Sequence, residues 1–427
     1  MADPIPSQAE AESSIVLPEL PLDALRRGLK QTFRALRHRN FRLFISGQAI
    51  SLIGTWMQNV AQAWLVYRLT HSELLLGTVW FCTQVPVFAL GSIGGLVSDR
   101  YSRWKLVILT QTLSLLQALG LAILTLSGRV QVWHVMVFAV MLGCINAFDM
   151  PARQALIIRM TSKDDLLNAI SLNSAMFNSA RVVGPAIAGL VVAAVGEGMC
   201  FLLNAISFVA VIGCLVAMRL PPFVRDIKDS PWSHLKDGFR FTYRHRQVRS
   251  ILWMMAATTI AGTPAVVLMP FFADDIFHRG SLGLGFLMGA MGVGAVIGTL
   301  VLAGRTEVKG LARVIAISAA SSGLCFLIFS SSRWFYVSLL IMPLIGFSTM
   351  RQLAAANTLI QCLIPDEYRG RVMALYAMTV VGLGPFGSLA AGAIAHQFGA
   401  RITVAAGGVL YLIAAATFRA KAPTGAC

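Results

Sequence analysis

The sequence predicts an all-α polytopic membrane protein with twelve transmembrane helices arranged in two six-helix halves. Three observations predict it. Of 427 residues, 56% are hydrophobic and only 13% are charged, whereas a soluble domain carries about 25% charged residues. Hydrophobic blocks of 20–28 residues recur almost throughout, and a helix needs about 20 to cross a bilayer. The basic residues that punctuate these blocks fall almost entirely on alternate connections.

Inside lipid every backbone N–H and C=O must be satisfied internally, so the blocks read as helices. Short strands of alternating polarity, the mark of a membrane barrel, do not occur. Spans are expected near 43–67, 74–98, 105–127, 131–153, 168–194, 198–218, 250–273, 281–304, 312–331, 334–361, 371–396 and 400–418. Five units follow. Residues 1–40 form a disordered N-terminus with a basic amphipathic segment, and 41–219 the first six-helix half. Residues 220–249 are a cytoplasmic central loop, 250–419 the second half and 420–427 a C-terminal tail.

The net charge of +16 would fit a nucleic-acid binder, but the placement of the charges excludes that reading. Twenty-eight Lys and Arg lie on one side of the predicted membrane. Arg68, Arg129, Arg279, Arg333 and Arg401 lie on the other, and Arg181 and Arg351 fall inside spans. This is the positive-inside distribution, and it places both termini in the cytoplasm and the chain in the cytoplasmic (inner) membrane. The start of the chain has no signal peptide: its first 20 residues are acidic and contain proline, without a basic start or an apolar core. Leu22, Leu25, Leu29, Phe33 and Leu36 then share one helical face, with Arg26, Arg27, Lys30, Arg34 and Arg37 elsewhere. That pattern suits a helix lying on the inner leaflet, or a basic flank that orients span 1. Six of the seven cysteines fall in spans without metal-ligand spacing and read as apolar fillers. No metal or cofactor is expected.

The halves repeat each other. Asp164-Asp165 match Asp366-Glu367 at an offset of 202, and Gly184-Pro185 match Gly384-Pro385 at an offset of 200. Internal duplication about a central loop marks transporters, in which one repeat rocks against the other.

After span 2 comes Gly95, then Asp99-Arg100, Arg103 and Lys105. Here the chain resembles the major facilitator superfamily, whose motif between spans 2 and 3 is G-x-x-x-D-R-x-G-R-R/K. Ser102 stands where the family usually has Gly. The resemblance implies a conformational latch of Gly95, Asp99, Arg100 and Arg103. Asp99 would dock on the start of span 11 near Gly370–Met373 when the transporter faces outward. Span 5 carries Arg181, Gly184, Pro185 and Gly189, which resembles the family's exporter-linked motif G-x-x-x-G-P-x-x-G-G, with Ala180 and Ala188 replacing two glycines. A packing kink is the alternative, since Pro removes a backbone donor. The stretches FDMPARQA and FLLNAISF resemble the branch holding enterobactin-type siderophore exporters and macrolide-efflux proteins.

Charges within the membrane are costly and point to function. Arg181 faces either the cavity or backbone carbonyls. Asp149 in span 4 is matched by Arg351 in span 10 under the same offset of 202. The two form a candidate gate pair between halves, with local pairing of Asp149 to Arg153 as the rival and slightly favoured reading. Candidate cavity groups are Asn59, Gln62, Asn146, Asn178, Thr259, Gln352 and Asn357, with Asn173 and Thr258 beside them. Trp56, Trp64 and Trp253 could stack on a lipophilic cargo. Gly285, Gly289, Gly294 and Gly298 in span 8 read as packing positions. Asp274-Asp275, Glu73, His71 and His278 fall outside the spans, where solvated roles are expected.

The expected function is secondary active export of a small molecule, a drug-like compound or a siderophore, by alternating access. Proton antiport is implied by the resemblance. Uptake and lipid translocation by the same fold remain alternatives. An embedded enzyme would need a convergent catalytic set, which the spans lack. A bilayer, a small-molecule substrate and protons are the expected partners, with no nucleic acid, and the chain is expected to act as a monomer.

Overall fold

A computed structural model describes residues 33–220, 240–305, 307 and 309–421. The expected N-terminal disorder, most of the amphipathic segment, most of the central loop and nearly all of the C-terminal tail lie outside these residues.

Among the described residues, twelve long helices carry the fold. In the first half they are α1 (Arg39–Thr70), α2 (Glu73–Arg100), α3 (Arg103–Leu126), α4 (Val132–Ile157), α5 (Leu166–Val195) and α6 (Glu197–Val216). In the second they are α7 (Arg246–Val267), α8 (Gly280–Ala303), α9 (Leu311–Ser331), α10 (Phe335–Leu363), α11 (Asp366–Phe398) and α12 (Ala400–Lys421). Helix α11 breaks at Leu383, ahead of Pro385. Eleven of the twelve are long and apolar enough to cross a membrane. The exception, α1, is 32 residues long but carries Gln48, Gln58, Asn59 and Gln62, which lower its hydropathy.

Within each half the helices pack in the same order. In the first half α2 meets α4, α3 meets α6, and α1 meets α5 and α6. In the second, α8 meets α10, α9 meets α12, and α7 meets α11 and α12. The repeat extends to backbone detail. Spans 5 and 11 end at Gly196 (φ 84°) and Gly399 (φ 85°), left-handed positions that let the next helix start at once. His71 and His278 end the first helical run of each half with φ of 45° and 50°. A non-glycine residue there carries roughly 1–2 kcal/mol of backbone strain.

The two halves touch mainly through α5–α8 and α2–α11. Small residues make that approach possible, as in other membrane bundles. A Cβ added at Gly189 would lie 3.0 Å from Gly285 Cα, and one at Gly77 would lie 2.4 Å from the Ser388 carbonyl oxygen. All of these lie toward the end opposite the chain termini. The close approaches between the halves that glycine permits run from this end to the middle of the bundle, where a Cβ on Gly292 would lie 3.1 Å from Val182 Cα.

Candidate functional site

The closed end is held by groups from both halves. Helix α7 runs on through Met269–Phe271 into a π-helical turn, Phe272–Ile276. Such wide turns are rare and often functional. Here the turn brings Asp274 and Asp275 to the same partner. The Tyr67 hydroxyl on α1 lies 2.9 Å from Asp274 Oδ2 and 2.8 Å from Asp275 Oδ1. Its ring is fully buried and meets Phe271 edge-on at 4.9 Å. Glu73 on α2 faces His396 on α11 at 4.0 Å. Asp275 is exposed and Asp274 half-buried, as expected on the outer side, and both also reach Tyr67 and so bridge the halves. Beside them Arg68 on α1 binds Glu197 on α6 at 2.7 Å, within the first half.

The span-5 motif divides its work. At Gly184 an added Cβ would lie 2.4 Å from Trp56 Cβ, so this glycine seats α5 on α1. Gly189 seats α5 on Gly285 of the other half. Pro185 is buried, and its carbonyl oxygen lies 2.7 Å from a Cβ built on Gly285. The span-8 glycines split likewise. Gly285 and Gly289 face α5, while Gly294 and Gly298 would strike Pro343 and Phe347 of α10.

Arg181 begins that motif, about 22 Å along α5 at 1.5 Å per residue. Its side chain crosses between halves. Nη1 lies 3.4 Å from Met350 Sδ on α10, and the guanidinium lies 5.7 Å from the Trp56 ring centroid. Trp56 in turn meets Phe177 edge-on at 6.1 Å. Among the described residues no carboxylate pairs with Arg181. Arg351 follows Met350 directly; its guanidinium lies 5.6 Å from the Phe347 ring, and its Nε is buried without a hydrogen-bond partner.

The predicted pair of Asp149 with Arg351 is not present. Asp149 is 1% exposed and fully engaged within its own half. It pairs with Arg153 one turn on, and its Oδ1 accepts from Thr110 at 2.7 Å and Gln111 Nε2 at 3.0 Å on α3. Arg153 Nη1 donates to Gln48 on α1 at 2.9 Å. Three donors from α3 and α4 thus hold the carboxylate within its own half. The latch geometry is likewise absent. Asp99 is exposed and binds only Arg103, at 3.1 Å, and Arg100 is exposed. The start of α11 does not pack on Gly95, where an added Cβ would meet nothing within 4 Å.

The polar candidates sort into two groups. Gln352 is buried and donates to Thr258 on α7 at 2.9 Å, which ties it inside the second half. Asn357 accepts from Gln361 on its own helix, and Asn178 donates to the Ser174 carbonyl. Asn59, Asn146 and Thr259 are half-buried, and Gln62 is buried with an unpartnered Oε1. Trp64 packs on Tyr67 at the closed end, ring centroids 5.3 Å apart. Trp253 is 71% exposed in the groove between α7 and α12.

Sequence reasoning missed two networks. Gln58, Gln117 and Asn204 link α1, α3 and α6 through bonds of 3.0 and 2.7 Å. Asp165, noticed only as a repeat marker, is fully buried and gathers Arg34, Arg37 and His38, each at 2.7 Å. Arg34 and Arg37, placed by sequence beside a membrane-facing stripe, therefore dock on protein. The Ala35 amide adds a bond to Asn168 Oδ1 at 2.9 Å.

Residues 30–426 match the family model described as transmembrane secretion effector. The chain is a major facilitator superfamily transporter of that family. Over 362 residues it is 27% identical to the staphyloferrin A transporter of Staphylococcus aureus, covering 83% of this transporter and 89% of the relative. It is 24% identical over 388 residues to the enterobactin exporter EntS of Shigella boydii, with 88% and 92% covered. Its fold matches a bacterial homologue of the iron transporter ferroportin solved in an inward-facing state, with TM-score 0.69 at 17% identity, covering 90% and 98% of the chains. A bacterial homologue of the lysosomal transporter Spinster, inward-facing and unoccupied, aligns with TM-score 0.67 at 14% identity, covering 91% and 99%. The transporter thus belongs with siderophore-handling relatives and is a multi-pass membrane protein.

Proposed function

We propose that the transporter is a secondary active exporter that moves a small molecule, a siderophore or a drug-like compound, out of the cytoplasm by proton antiport and alternating access. One observation carries the reading. The halves meet at the end opposite the basic loops, through Tyr67 with Asp274 and Asp275 and through Gly189 with Gly285, and Arg181 reaches across to Met350 deeper in the bundle. The positive-inside rule supports a cytoplasmic basic end with both termini inside. Closure at the outer end then belongs to the state that loads cargo from inside. The span-5 motif and the similarity to enterobactin exporters support the outward direction. Asp274 and Asp275 lie at the contact between the halves with a single Tyr67 hydroxyl proton between them, a geometry that supports this pair as the carrier of the coupled proton.

Everted membrane vesicles test the proposal, with enterobactin and staphyloferrin A as first probes. Accumulation driven by an inside-acid gradient and abolished by a protonophore is expected. Gradient-driven uptake into intact cells, with none into everted vesicles, would reverse the assignment.

A further inference from the structure

Among the described residues, two cations in the middle of this membrane protein have no acidic partner. Arg181 comes from the first half and Arg351 from the second. Arg181 reaches Met350, the residue directly before Arg351, so the two arginines lie at one depth and serve the same stretch of α10. The acid at a comparable level, Asp149, is taken by Arg153, Thr110 and Gln111. Buried charges are normally paired, and intramembrane charges that are not face water-filled cavities or await a ligand. Each guanidinium instead meets an aromatic face, Trp56 for Arg181 and Phe347 for Arg351. Arg351 Nε also remains a buried donor without an acceptor. A guanidinium presents its N–H groups as a planar fork that matches a carboxylate in two bonds. The aromatic rings Trp56, Phe177 and Phe347 supply an apolar wall on either side.

We propose that Arg181 and Arg351 form a two-armed anion site between the halves in the middle of the membrane, so that the cargo is an organic anion with an aromatic or apolar body. The inference rests on the transport reading above but not on its direction. Because one arm belongs to each half, an anion bound there bridges the two rocking bodies, whereas a neutral or cationic cargo leaves both arms unpaired.

The experiment is equilibrium binding to the purified full chain in detergent, by calorimetry, with three probes of one shape: 1-naphthoate, its neutral amide 1-naphthamide and the cation 1-naphthylmethylammonium. Naphthoate should bind about tenfold or more tightly than the amide, the discrimination expected of a charge-assisted contact. R181Q and R351Q should each weaken naphthoate about fivefold or more while leaving the amide within about twofold. Should a glutamine variant fail to fold, the lysine variant replaces it. It retains the charge without the fork and should still prefer naphthoate to the amide. Equal affinity for acid and amide, preference for the cation, no binding of any probe, equal weakening of both probes, or loss of preference in the lysine variant would each overturn the site. Binding has no direction, so anion preference without accumulation in everted vesicles overturns only export. Outward transport of a neutral or cationic compound overturns only the anion site.

Discussion

Replacing Gly285 should loosen the closed end by an amount the structure allows to be bounded. A Cβ at this position would lie 2.7 Å from the Pro185 carbonyl oxygen and 2.8 Å from Gly189 Cα. Both are backbone atoms of α5, so no side chain can swing aside. Ordinary contact needs nearly another ångström, and α5 and α8 must separate along their close-packed stretch. Overpacking of this kind costs about 1–3 kcal/mol. The cost applies only where the two helices meet, so a state open at this end escapes it. The equilibrium between the two states should then shift about 5- to 150-fold toward that state for G285A, and further for G285L. Spin labels at Ser127→Cys and Ser331→Cys, on exposed outer turns of α3 and α9, in a background without native cysteines, would read the separation of the halves. A longer distance component should grow in the order wild type, G285A, G285L. Gly213 on α6 has no atom within 4 Å of an added Cβ, so G213A should leave the distribution unchanged. An unchanged distribution in folded G285L would refute the idea that α5–α8 contact closes this end.

Three further perturbations separate the other roles. Y67F removes the hydroxyl that Asp274 and Asp275 share; a bond to a charged group is worth about 1.5–3 kcal/mol, so the same label pair should report a shift in the same direction. D149N strands Arg153, which is 22% exposed, so thermal unfolding should show a loss near the lower end of the roughly 3–5 kcal/mol typical of a broken buried pair; R351Q should not reproduce that loss, because Arg351 does not touch Asp149. D99N removes an exposed carboxylate that holds only Arg103, so its thermal stability should change by no more than about 1 kcal/mol; if the acid latches α2 to α11 when the basic end closes, D99N should still lower the transport rate.

The helices were legible because hydrophobic runs, the one-sided charges and the 202-residue offset each constrain the same twelve spans. The Asp149–Arg153 pair was legible too, since residues four apart face each other on one helix. What sequence could not supply is the partner across space. Thr110 and Gln111 meet Asp149 from α3, 39 and 38 residues away, and no local spacing announces that. Likewise the span-8 glycines form two four-residue pairs, and only the bundle shows that one pair faces α5 and the other α10. The π-turn that aims both Asp274 and Asp275 at Tyr67 inserts one extra residue per turn, which a 3.6-residue reading places elsewhere. Asp99 illustrates a different limit. Its motif resembles a latch, but a latch engages in one state, and here Asp99 holds Arg103 on its own side.

The offset that paired Asp149 with Arg351 now carries a different meaning. The halves place an acid and a base at equivalent depth, and the acid is neutralised within its own half while the base is not. With Arg181 added, the half-to-half junction holds two uncompensated cations. Any alternating-access cycle passes through a state closed at both ends, where water can no longer screen them. An anion about 4 Å from a guanidinium recovers roughly 4 kcal/mol at an effective dielectric of 20, and one bridging both arms recovers more. The loaded transporter should therefore pass through closure more readily than the empty one. Cargo that completes the charge balance is then also cargo that permits the change of face, so selectivity and movement would reside in the same pair of arginines.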